Sequence, residues 1–67
     1  MTANQYRAAL SRLGLTQVAA ARLFGVNAAT SRRWAAGGVS GATVILLRLL
    51  LAGKITPDDI ASAARGS

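Results

Sequence analysis

What most constrains this chain is how often its sequence stops one helix and starts another. Glycines at positions 14, 25, 37–38 and 53 are each followed, within three residues, by a side chain suited to cap a new helix: Thr16, Asn27, Ser40 and Thr56. A capping oxygen accepts from a free N–H of the first turn, and glycine reaches the left-handed conformation that closes a C-terminus. No run between these marks exceeds a short helix, and no run alternates as a half-buried strand would. The chain can bury an apolar core only by packing several short helices together.

The boundaries follow from these marks. Thr2 opens the first helix with Gln5 three residues on, a capping box. Tyr6, Ala9, Leu10 and Leu13 then share one face, with Arg7 and Ser11 off it, which gives a helix from Ala3 to Leu13. Tyr6 is expected in the core with its hydroxyl at the surface. Thr16 caps a second helix, Gln17 to Phe24, and Asn27 a third, Ala28 to Ala36. Ser40 is read as the cap of a fourth, Gly41 to Ala52. In "TPDD", Thr56 is the cap, Pro57 takes the first helical position and Asp59 completes a box, so a fifth helix runs from Pro57 to Ala64. The final Arg65-Gly66-Ser67 is expected to fray. The fold class is all-α: one compact five-helix domain over residues 1–67.

Such a domain is small. Chains of about this length bury only roughly 60% of the surface exposed when unfolded. Cysteine and histidine are both absent, so disulfide, thiolate and zinc staples are not expected, nor any cofactor. The polar N-terminus "MTANQYR" does not read as a signal peptide. The apolar run "ATVILLRLLLAG" is 12 residues long and interrupted by Arg48, whereas a membrane span needs about 20. The chain therefore reads as soluble and intracellular, with no membrane partner.

Charge gives the first functional indication. Eight basic residues face two acids, for a net charge of +6, and both acids, Asp58 and Asp59, lie near the C-terminus. There the positive end of a helix dipole favours them, which is a structural reason for their presence. From Met1 to Ile55 there are seven basic side chains and no acid. A one-signed field of that extent attracts a polyanion, nucleic acid first and an anionic membrane surface second.

Between the second and third helices only Gly25, Val26 and Asn27 intervene. A connection that short forces a steep crossing, as in a helix-turn-helix. Ala21 is small enough for close approach, Gly25 tolerates the turn, and Ala20, Phe24, Val26 and Trp34 fit the core side. The stretch "LGLTQVAAARLFGVNAATSRRWAAG" resembles the helix-turn-helix of the phage-repressor or Xre family of bacterial transcription regulators. The matching features are Leu15-Thr16-Gln17, Ala21, Gly25-Val26, Asn27, Trp34 and Gly37, over about 25 residues. Two features depart from the family. Ser31 replaces the usual Val or Ile, and is expected either to bond back to a carbonyl of the preceding turn or to loosen the packing. Ala35 and Ala36 stand where an acid or amide is common.

The resemblance implies that the third helix enters the major groove of double-stranded DNA. Carried over by position, Asn27, Ala28, Ala29 and Arg33 face the bases, with Arg32 beside them. Arg33 can bond guanine O6 and N7 together, while the two alanines offer only methyl contact. Arg32 can read a base or bind a phosphate; alternatively, both arginines are a solvated helix face. Thr16 and Gln17 begin the second helix, where family members contact the DNA backbone. Thr30, Ser31 and Ser40 are phosphate candidates by chemistry alone, and at most one or two of Arg7, Arg12 and Arg22 join them.

The helix "VILLRLLL" is apolar nearly all round and needs cover on more than one side. Ile45, Leu46, Leu49, Leu50, Ile55 and Ile60 are the expected seam of a homodimer. Two-fold symmetry would set two recognition helices roughly 34 Å apart on an inverted repeat. The alternative is a monomer whose fifth helix covers that face. Catalysis lacks candidate residues, so the chain is not expected to be an enzyme. The expected function is a sequence-specific DNA-binding transcriptional regulator, a small repressor or autoregulator. The resemblance implies a bacterial cytoplasmic, nucleoid-associated protein of phages or mobile elements. The competing reading is a protein-interaction module, antitoxin-like or anti-activator, gripping another protein with the apolar fourth helix.

Overall fold

Five helices follow one another in the computed structural model, which describes residues 1–66: α1 (Ala3–Leu13), α2 (Gln17–Phe24), α3 (Ala28–Gly37), α4 (Ala42–Leu51) and α5 (Pro57–Gly66). The described residues contain no strand, so the fold is all-α. Local chemistry accounts for most of the helix starts. The Thr2 hydroxyl accepts from the Gln5 N–H (3.2 Å) while the Gln5 side chain accepts from the Thr2 N–H (2.9 Å). Thr56 and Asp59 make the same reciprocal pair at α5, at 3.2 and 2.8 Å. Thr16 caps α2 through the Ala19 N–H (3.0 Å), and Asn27 caps α3 through the Thr30 N–H (2.9 Å).

Four boundaries differ from the sequence reading, one of them the end of α4, which stops at Leu51 rather than Ala52. α3 continues through Gly37, and α5 continues through Arg65 and Gly66, which are helical rather than frayed; Ser67 lies outside the described residues. Ser40 does not cap α4. The residue before that helix is Gly41, at φ 74°, and no side chain caps it. The cause lies upstream: Val39 is tied to Met1 in both directions, its N–H donating to the Met1 carbonyl and its carbonyl accepting from the Met1 ammonium, each at 2.9 Å. With Val39 held there, the chain turns into α4 only after Ser40.

Tyr6, Leu10, Ala20, Ala35, Val39 and Leu47 form the core, with Leu13, Leu15, Phe24, Trp34 and Val44 packed around them. The buried alanines (9, 20, 21 and 35) contribute little volume. What they permit is close approach of α1, α2 and α3. α4 lies at 82° to α3 and inserts Leu47 and Leu50. Leu50, expected at a dimer seam, is thus only 5% exposed within the protomer's own core. α5 has no buried residue and rests chiefly on α2. No single helix among the described residues is long and apolar enough to cross a membrane.

Candidate nucleic-acid interface

The connection between α2 and α3 fixes where α3 begins. Gly25 adopts a left-handed conformation (φ 70°), and its N–H turns back onto the carbonyls of Ala21 and Arg22. The Val26 N–H follows onto the Ala21 carbonyl (3.0 Å), and Asn27 then caps the next helix at once. Non-glycine side chains disfavour that conformation, so the turn depends on residue 25. Ala20 and Ala21, both buried, let α2 approach its neighbours closely.

Seen from α3, one side is committed to the core. Ser31 and Ala35 are buried, and Ala28, Thr30 and Trp34 are half-buried. Ala29, Arg32, Arg33 and Ala36 are exposed. Their spacing of three, four and seven residues puts them on one face, with two guanidiniums at its centre and a methyl group at either end. Ala28, assigned to base contact by its position, sits at the edge of this stripe. Along the helix a polar chain links three residues. The Thr30 hydroxyl donates to Asn27 Oδ1 (3.0 Å), and Arg33 Nη2 donates to Thr30 Oγ1 (3.1 Å).

Contacts behind the stripe set its orientation. The Tyr6 hydroxyl and Ser31 Oγ are hydrogen-bonded at 2.8 Å, and both residues are 0% exposed. Trp34 meets the Tyr6 ring edge-on at 5.8 Å and the Phe24 ring at 6.3 Å. Arg7 donates to the Ala35 carbonyl and to Asn4 Oδ1. These contacts correct the expectations for Ser31 and Tyr6. Ser31 is out of reach of any phosphate; it neither bonds back along its helix nor loosens the packing, because it is paired to α1. The Tyr6 hydroxyl is inside. Arg7 braces α3 from α1. A sequence signal for the pair did exist: a serine in phase with an apolar helix face needs a polar partner, but nothing local indicates a tyrosine 25 residues away.

The remaining assigned residues are scattered around this stripe. Thr16 and Gln17 line a recess with Arg7, Leu10, Ser11 and Leu15 at the start of α2. Gln17 is half-buried there, and Thr16 is exposed with its hydroxyl used as a cap. Thr30 is half-buried in the polar chain, and Ser40 is exposed beyond the end of α3.

A second surface lies between α2, α4 and α5. Leu46, Leu49, Ile55 and Ile60, four of the six expected seam residues, line one apolar groove, with Arg22 and Arg65 beside it. Leu23 and Phe24 of α2 also line it, a role the sequence reading did not give them. Ile45 is 61% exposed and does not belong to the groove lining. No family model, no curated protein and no solved structure matches this chain.

Proposed function

We propose that the chain is a sequence-specific DNA-binding transcriptional regulator that places α3 in the major groove, with α2 and α3 acting as a helix-turn-helix. One observation carries this reading: Arg32 and Arg33 stand together on the only exposed stripe of a helix that is otherwise anchored to the core. The resemblance to phage-repressor and Xre regulators and the absence of acids before Asp58 support it. Within it, Arg33, Arg32 and Ala29 meet base edges, while Thr16 and Gln17 meet phosphates at the start of α2, where free backbone N–H groups favour an anion. Two copies joined through the apolar groove would read an inverted repeat, acting in the bacterial cytoplasm on the nucleoid.

Binding to the DNA upstream of the chain's own gene tests the proposal, measured at several salt concentrations for the wild type and Arg33→Ala. A steep fall in affinity with salt is expected from counterion release, with loss of sequence discrimination in the variant. Sequence-indifferent or salt-insensitive binding would overturn it. The same groove favours a second reading, in which Leu46, Leu49 and Ile60 grip a different protein. Sedimentation separates the two, because a stable homodimer that Ile60→Glu dissociates leaves no free groove.

A further inference from the structure

We infer that α3 reads DNA as a surface of hydrogen-bond donors only, and therefore selects guanines. The inference rests on the DNA-binding reading and names the base pattern that the same site takes. The exposed stripe of Ala29, Arg32, Arg33 and Ala36 contains no side-chain acceptor. Asn27 and Thr30, the two residues of the helix start that have one, are already engaged. An amide oxygen has two lone pairs, and Asn27 Oδ1 accepts both the Thr30 N–H (2.9 Å) and the Thr30 hydroxyl (3.0 Å). The bidentate contact between asparagine and adenine requires that oxygen to accept from N6 while the amide nitrogen donates to N7. Here, taking an adenine would uncap α3. Thr30 gives its proton to Asn27 and accepts from Arg33, and the residue is half-buried rather than part of the exposed stripe.

The donors are correspondingly free. Arg33 is exposed and is held by one nitrogen on Thr30, its single side-chain hydrogen bond among the described residues. Arg32 makes no side-chain hydrogen bond among the described residues. Guanine presents two major-groove acceptors, O6 and N7, to a guanidinium, whereas cytosine presents the N4 donor and adenine pairs an acceptor with the N6 donor. The Ala29 methyl suits the methyl group of thymine. Each half-site should therefore hold two guanines, under Arg32 and Arg33, with thymine tolerated beside them and no position fixed by adenine N6 or cytosine N4.

Selection from a random duplex pool with the full chain tests this, followed by base substitution in the selected duplexes. Replacing either selected guanine by 7-deazaguanine removes N7 and leaves the protein untouched; each replacement is expected to weaken binding about tenfold or more. Arg33→Lys keeps the charge but replaces the planar fork of donors by a single ammonium, and should weaken the preference at one guanine while leaving it unchanged at the other. Selected sites without guanine, or indifference to 7-deazaguanine, would overturn the donor-only reading while leaving DNA binding intact. A pool from which no duplex is enriched would overturn the proposed function and this inference with it.

Discussion

α3 and α5 are both ten-residue helices with a side-chain cap, yet the protein holds them quite differently. α3 is fixed by a buried hydroxyl pair, an edge-on aromatic chain and an arginine reaching over from α1. α5 buries no residue and leaves an open apolar groove between itself and α4. A helix that must present side chains at a fixed angle to a rigid partner gains from the first arrangement. One that completes its packing against another chain can begin from the second.

Substitutions that strike the core sharpen this contrast most. Leu47→Ala, at a side chain with no exposure, should cost about 2–5 kcal/mol, enough to leave so small a domain largely unfolded in urea titrations. Ile60→Ala in the groove should shift the midpoint far less in the isolated protomer. Next comes the hydroxyl pair. Tyr6→Phe keeps the ring against Trp34 but strands the Ser31 hydroxyl, at a cost of about 1–3 kcal/mol. Combining it with Ser31→Ala should recover much of that loss, because neither polar group then remains unpaired. If the double variant is no more stable than Tyr6→Phe, the pair is not what holds α3. The smallest effects come from the caps. Thr2→Ala and Thr56→Ala remove equivalent bonds, each worth about 1 kcal/mol. The first should lower the global unfolding midpoint. The second should speed amide exchange within α5 while leaving protection in α1 to α3 unchanged. Equal global effects would mean that α5 is as firmly seated as α1.

The sequence shows the helices plainly because caps and glycines act over three or four residues. Thr2 with Gln5, Thr16, Asn27, and Thr56 with Asp59 can each be recognised without knowing anything distant. Ser40 misleads for the opposite reason: it is a good local cap, overruled by the bond between Val39 and Met1 from the far end of α1. The arginine stripe is legible because helical spacing alone places Ala29, Arg32, Arg33 and Ala36 together. The partner of Ser31 and the place of Leu50 are not, since only the crossing of α1 with α3, or of α4 with the core, decides what each side chain meets. Leu23 and Phe24 likewise have the composition of core residues, and only the position of α5 leaves them lining a groove.

The hold on Met1 also makes the two ends of the molecule unequal places for an attachment. A Cβ on Gly38 would come within 2.7 Å of the Met1 carbonyl oxygen, so the space beside the first residue is already filled by backbone. A label or carrier fused ahead of Met1 converts its ammonium to an amide and brings bulk to the segment that positions both the start of α1 and the loop leaving α3. One added after α5 extends a helix with no buried residue, although it stands beside the groove. Immobilisation for DNA-binding measurements should therefore use the C-terminal side, and assembly measurements should use the chain with neither end extended.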